Sequence, residues 1–424
     1  MLSDVLSIYS KDDKFLILNP LVPAWIVTNI TGVMVVKTYV ETMSVKETVK
    51  VCHRQNIALS EDMVRRFLDA ARSASLFAEK TIEHTHKPYF LHALYLNMTE
   101  KCNLCCTYCY ASSRKELGKE TLSFDDYKRI LLEAKSISGK IDVIFTGGEP
   151  LLSKITLDVA RFAKTLGFDC RVLTNGTLID ENNVNEIVSC FDSFKISLDG
   201  SSKEKHDFYR GNGSYERTIR ALELLDERNV DFQLAMVVTK ENVDDVSAMN
   251  KKWGSRLTYQ PLFPLGKAKE QKQISALTGL EYYDAMCQNA NINPFSDISN
   301  IIKAHKKNRS IVKCAMGDGE LSISCTGDVY PCQLLHAEGF CLGNVHSQSL
   351  QSIYNSMENE YFKFHTVDKI EKCKDCDFRY LCGGACQARH FSETGTIDKS
   401  GDFCKYEQCG IVYGIISNCK MVEI

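Results

Sequence analysis

Between residues 83 and 300 the chain alternates short apolar runs with amphipathic helical stretches, a pattern that admits few folds besides repeated βα units on a parallel sheet. The runs are residues 91–97, 141–145, 171–174, 194–198, 232–238 and 256–260, each of strand length. In such folds chemistry collects at the C-terminal ends of strands. The first run stops just before Cys102, Cys106 and Cys109, the second before Gly147-Gly148-Glu149, the third before Asn175, and the fourth spans Ser197 and stops before Asp199. Strand ends that coincide with chemistry-bearing residues predict an α/β enzyme.

Cys102, Cys106 and Cys109 stand in a C-x3-C-x2-C spacing that 19 cysteines in 424 residues would produce by chance about 0.04 times. Three thiolates can hold a four-iron cluster and leave one iron open to a substrate or cofactor. The chain starts without the basic segment and apolar run of a signal peptide, and no stretch reaches the ~18 apolar residues of a membrane span. A cytoplasmic location with no membrane partner is therefore expected. In a reducing compartment this cysteine density argues for metal ligands over disulfides. A net charge of −3 gives no basic footprint for nucleic acid, and 44% hydrophobic residues can bury the cores of two or three domains.

With Tyr108 just before its last cysteine, the motif resembles that of the radical SAM enzymes, in which the open iron chelates the amino and carboxylate groups of S-adenosylmethionine (SAM). Thr146-Gly-Gly-Glu-Pro150 resembles the Gly-Gly-Glu motif of that family, although alone it would read as a turn. Paired glycines let the backbone approach a ligand closely, and an acceptor there can take hydrogen bonds from the cofactor ammonium. Ser197-Leu-Asp-Gly200, whose alternative reading is a capping turn, sits at the fourth strand end. The resemblance implies a partial (β/α)6 TIM-type barrel over residues 83–300. Gly147, Gly148, Glu149, Asn175, Ser197, Asp199 and Arg210 would surround SAM, with Arg210 at its carboxylate. It also implies cleavage of SAM to methionine and a 5′-deoxyadenosyl radical, supported by an electron donor such as ferredoxin or flavodoxin.

From residue 314 the cysteines resume as C-x12-G-x4-C (Cys314, Gly327, Cys332), then C-x2-C-x5-C-x3-C (Cys373, Cys376, Cys382, Cys386), then Cys404. A structural zinc knuckle is the alternative for such spacing. Downstream of the first motif, the array resembles the SPASM extension of peptide-modifying radical SAM enzymes. This implies three [4Fe–4S] clusters: one binding SAM, an auxiliary one on Cys373, Cys376, Cys382 and Cys404, and another on Cys314, Cys332 and Cys386. Cys325 and Cys341 are both candidates for the fourth ligand of the last cluster, and an iron left vacant for a substrate thiolate is the other alternative. Cys52, Cys105, Cys170, Cys190 and Cys287 fit no ligand spacing and read as small buried hydrophobes, while Cys409 and Cys419 stay unassigned.

Residues 1–82 read as a small winged-helix-like module. Residues 15–20 and 31–39 look like strands or strand-to-helix starts, Ser44-Val-Lys-Glu47 opens a helix, and Ser60 caps a run in which Met63, Phe67, Leu68 and Ala71 share a face. Across residues 1–80, 10 Lys and Arg balance 9 Asp and Glu, which disfavours DNA binding. A plain N-terminal extension is the bland reading. Asn19-Pro20, residues 25–32 and the helix start at Ser44 resemble the PqqD-like recognition element of peptide maturases, which binds a leader peptide as an added strand. The SPASM resemblance implies that residues 301–424 form that extension.

The whole pattern predicts a maturase that acts on a ribosomally synthesised precursor peptide and forms thioether or carbon–carbon crosslinks. A sulfatase-type maturase, oxidising a single Cys or Ser, is the same-fold alternative. Those relatives place an aspartate base after the Pro-Cys of this region, where this chain has Gln333, which cannot accept a proton in that way. A non-catalytic iron–sulfur redox regulator is a third reading, and it leaves the Gly-Gly-Glu and Ser-Leu-Asp-Gly motifs unexplained.

Overall fold

Three strands, β1 (Ser7–Lys11), β2 (Lys14–Asn19) and β3 (Ala24–Thr28), form an antiparallel meander in the order β1-β2-β3. The computed structural model describes residues 5–79, 90–111, 121–271, 273–290, 301–303 and 310–424, so the expected boundaries at 82/83 and 300/301 fall at residues outside the description. Side chains alternate along β2 and β3, and both faces of the sheet are buried. Ile17 and Ile26 pack with Val33, Val36, Cys52, Phe67 and Leu68 from the helices α1 (Ile30–Thr42), α2 (Val45–Arg54) and α3 (Glu61–Ser73). Leu16, Leu18, Trp25 and Val27 pack on Ile411, Ile415 and Ile416 of the helix Cys404–Asn418.

Ser44 and Ser60 cap α2 and α3 as expected, accepting from the Glu47 and Met63 amides. Met63 is only half-buried, and Val64 takes the core position beside Phe67. The run 31–39, expected as a strand or a strand-to-helix start, is the body of α1. Asn29 caps it by accepting from the Gly32 amide at 3.0 Å. Its β-branched residues disfavour a helix only slightly, and burying Val33, Val36 and Val40 on one face outweighs that.

All six expected runs are strands: β4 (Ala93–Asn97), β5 (Asp142–Thr146), β6 (Asp169–Thr174), β7 (Ser193–Ser197), β8 (Phe232–Val238) and β9 (Leu257–Pro261). They pair in parallel in chain order. The connections carry α4 (Phe124–Ser138), α5 (Thr156–Thr165), α6 (Val184–Cys190), the pair α7 (Lys203–Arg210) and α8 (Ser214–Asp226), and α9 (Val246–Trp253). Three further strands extend the β4 edge. β10 (Glu320–Ile323) lies parallel to β4, followed by antiparallel β11 (Asp328–Tyr330) and β12 (Gly343–Asn344).

The chain divides into two compact units. The first comprises Met1–His86, Thr278–Cys314 and Thr366–Ile424, and the second Lys87–Leu277 and Ala315–His365. The first three strands thus share a unit, and a core, with the C-terminal helix.

Candidate functional site

In the second unit the hydrogen-bond ladder between β4 and β5 runs on past the strands. Met98 N–H donates to the Thr146 carbonyl, Gly148 N–H to Thr99 at 2.7 Å, and Glu149 N–H to Lys101 at 2.9 Å. This strip carries the chain to Cys102. A Cβ on Gly147, which has φ +129°, would lie 2.4 Å from the Thr99 carbonyl oxygen, and one on Gly148 would lie 2.2 Å from that of Lys101. The glycine pair therefore makes room for the backbone that leads into the cysteine loop, where the sequence suggested room for a ligand.

Glu149 is 1% exposed. Its carboxylate accepts from the Leu151 amide at 3.2 Å, Thr174 Oγ1 at 2.7 Å and the Asn175 amide at 2.9 Å. Burial pushes its pKa up to about 6 even so. Three of about four acceptor sites are used, leaving one for a further donor. Asn175, held by its neighbour, accepts from the Thr177 amide and hydroxyl and donates to Asn103 Oδ1 at 3.0 Å, with Cys102 Sγ at 4.0 Å.

Asp199, just past β7, is fully buried. It accepts from Arg210 Nε and the Tyr108 hydroxyl on one oxygen and from the Val237 amide at 2.8 Å on the other. Arg210 Nη2 also donates to the Tyr108 oxygen at 3.0 Å. An aromatic phenol before Cys109 thus ties the cysteine loop to the end of β7 and to α7. His206 Nδ1 accepts from the Asp199 amide at 3.2 Å, and burial holds this imidazole neutral, its pKa lowered to about 4. Asp199 and Arg210 bind each other, which leaves Arg210 Nη1 as the guanidinium group outside that network. Ser197 is half-buried at the end of β7.

Cys102, Cys106 and Cys109 are partly buried thiols that form no disulfide. Burial pushes Cys106 up to about 11 against the pull of Arg210, and it raises Cys102, with the charges of Glu149 and then Cys109 adding to it. Metal ligation needs the thiolate, so bound iron would offset this cost. In the first unit Cys373, Cys376, Cys382 and Cys404 come together similarly. Burial, then the charges of Cys376 and Cys404, raise Cys373 to about 11 against the pull of a Ser400 hydrogen bond, and burial, then Glu407 and after it Cys373 and Cys376, raise Cys382. Gln408 Nε2 donates to Cys376 Sγ at 3.4 Å. Among the described residues no three such side chains converge on one ion. A four-iron cluster differs from zinc in giving each thiolate its own iron.

Cys314 and Cys386 lie in the first unit and Cys332 in the second. Both fourth-ligand candidates are in the second unit: Cys325 is buried, and Cys341 is exposed and donates to the Gly343 carbonyl at 3.5 Å. Cys52, Cys170 and Cys190 are buried as expected. Cys105 corrects that expectation, being exposed with Lys267 Nζ 3.1 Å from its sulfur, and Cys287 is only half-buried. The loop must turn its neighbours Cys106 and Cys109 inward, and residue 105 goes outward.

Residues 96–251 match the radical SAM superfamily and residues 314–377 match the SPASM iron–sulfur cluster-binding domain. Both domains are present, and the chain is a radical SAM/SPASM enzyme. Membership implies a SAM-binding [4Fe–4S] cluster and auxiliary clusters, which suits the thiol sets just described. An AdoMet-dependent heme synthase of Methanosarcina barkeri (strain Fusaro / DSM 804) is 27% identical, over 73% of this chain and 95% of that protein. The antilisterial bacteriocin subtilosin biosynthesis protein AlbA of Bacillus subtilis (strain 168) is 28% identical, over 70% of this chain and 67% of its own. The fold is similar to Streptococcus suis SuiB bound to precursor peptide SuiA, with a TM-score of 0.57 at 14% identity, over 95% of this chain and 99% of that one. No helix among the described residues is long and apolar enough to cross a membrane.

Proposed function

We propose that this enzyme matures a ribosomally synthesised peptide, binding its leader through the PqqD-like, winged-helix-like residues 1–82 and forming thioether or carbon–carbon crosslinks in its core. Residues 83–300 are the radical SAM barrel and residues 301–424 the auxiliary-cluster part. The observation that carries the reading is the meander β1–β3 with α1–α3, which lies in the same unit as Cys373, Cys376, Cys382 and Cys404 and which we take as the module that accepts the leader as a strand. The fold likeness to a peptide-bound SuiB over 95% of the chain, and the relationship to AlbA, support it.

When bound, the cluster and SAM supply a 5′-deoxyadenosyl radical that takes hydrogen from an unactivated carbon. The chain's own residues hold the parts in place. Cys102, Cys106 and Cys109 would hold that cluster. Gly147 and Gly148 seat the loop, Glu149 offers its remaining lone pair, and Arg210 offers Nη1 to the cofactor carboxylate. Asn175, Ser197 and Asp199 complete that side. Cys373, Cys376, Cys382 and Cys404 would hold one auxiliary cluster. By the SPASM resemblance, Cys314, Cys332 and Cys386 would hold a third cluster, with Cys325 or Cys341 as its fourth ligand or an iron left vacant for a substrate thiolate. Ferredoxin or flavodoxin is the proposed donor, with a cytoplasmic location.

The relationship to heme synthases favours a second reading, an enzyme acting on an iron porphyrin. One anaerobic experiment separates them. The enzyme, with SAM and reductant, is incubated with short peptides encoded by any open reading frames that neighbour its gene or with an iron porphyrin, and products are weighed by mass spectrometry. The peptide should become lighter by about two mass units per crosslink, with about one 5′-deoxyadenosine per bond. Porphyrin turnover with an unchanged peptide would replace this reading. Oxidation of a lone Cys or Ser would instead restore the sulfatase-type alternative, against the absence of an aspartate at Gln333.

A further inference from the structure

The outer side of β3 is already paired. Val27 and Met421 form a parallel bridge, the Val422 amide donates to the Val27 carbonyl at 2.7 Å, and Thr28 Oγ1 donates to the Val422 carbonyl at 2.9 Å. Val422 and Ile424, two residues apart and therefore on one side of an extended segment, pack on the core that includes Ile26, Phe67 and Leu68. The attachment is thin. On its other side β3 pairs with β2 at every position from Phe15 to Asn19, whereas residues 420–424 make one bridge.

We infer that residues 420–424 are an exchangeable strand: they hold the β3 edge while no peptide is present and leave it when an extended peptide with apolar residues at alternate positions adds there. The inference deepens the leader-binding reading and rests on it. The backbone groups on that edge can pair with only one strand at a time, and the apolar seat under Val422 and Ile424 can be filled only once. An incoming strand that made more of the ladder would win. The internal strand lowers the apparent affinity of any incoming peptide in proportion to the fraction of time the edge is free.

The probe is a fluorescein-labelled peptide copying residues 418–424 with serine at the position of Cys419, titrated by fluorescence anisotropy into the full chain. Val422→Pro in the chain removes the amide that bonds to Val27. The double variant Val422→Asp/Ile424→Asp empties the apolar seat without touching β3, and circular dichroism verifies that each variant is folded. If residues 420–424 hold the edge for nine-tenths of the time, both variants should bind the probe about 10-fold more tightly than the unaltered chain. Equal affinity in all three chains would overturn the inference, as would no binding by either folded variant. A Val422→Pro chain that takes up the probe but not the leader of a peptide encoded by a neighbouring open reading frame would sink the leader-binding reading and leave the exchangeable strand standing.

Discussion

Glu149 is held by three donors yet remains a buried acid, and the two effects pull against each other. Burial wins, lifting its pKa from the ordinary 4.5 to about 6. The protonated form therefore suits the fold better than the unfolded chain does. Its stabilising contribution is full below about pH 4.5 and is lost as pH rises through about 6, a change of about 2 kcal/mol. Urea unfolding should show the unaltered chain losing that much relative to Glu149→Gln between those limits, and parallel stability curves would contradict it. Gly148 tests a steric claim. Gly148→Ala sets a methyl 2.2 Å from the Lys101 carbonyl oxygen, and the cysteine loop has to move. Anaerobic reconstitution of that variant should fall short by about four irons, one cluster, with the auxiliary iron kept.

At the scale of elements, the sheet β1-β2-β3 owes its stability to two covers, and one of them is the helix that begins with Cys404. Trp25 is 5% exposed within that shared core, beside Phe378 and Leu381, and Cys376 and Cys382 pack against the same apolar core. Trp25→Ala should cost about 3–5 kcal/mol, as removal of a buried aromatic does. The loss should reach the cysteines too. Iron bound by Cys373, Cys376, Cys382 and Cys404 should fall with it, whereas SAM cleavage, a property of the second unit, should persist. Undiminished auxiliary iron in a destabilised variant would show that sheet and cysteine loop are energetically separate.

Across the whole molecule, the three-cysteine loop and the four-cysteine group lie in different compact units. Replacing Cys102, Cys106 and Cys109 together by Ala should abolish 5′-deoxyadenosine formation, because SAM loses its anchoring iron. The first unit keeps its ligands, and so should keep its iron and sulfide. A triple variant that returns zinc alone on metal analysis would remove the auxiliary clusters from the proposal.

The six strands of the parallel run could be read locally, since an apolar segment of four to seven residues between polar turns has nowhere to go but a buried strand. The cysteine spacings and the motifs at the strand ends were legible for the same reason, lying within a few residues of one another. Tertiary structure decided the rest. Residues 31–39 carry enough β-branched side chains for a strand, and only the face offered by Ile17 and Ile26 makes them a helix. β10 joins β4 from more than two hundred residues away, a pairing no local pattern announces. The glycines at 147 and 148 are required by the passing backbone at Thr99 and Lys101, and the β3 edge is filled by Val422 because those distant residues meet in space. Periodicity and spacing are properties of neighbours along the chain, whereas close approach, shared cores and edge pairing exist only once distant segments are packed together.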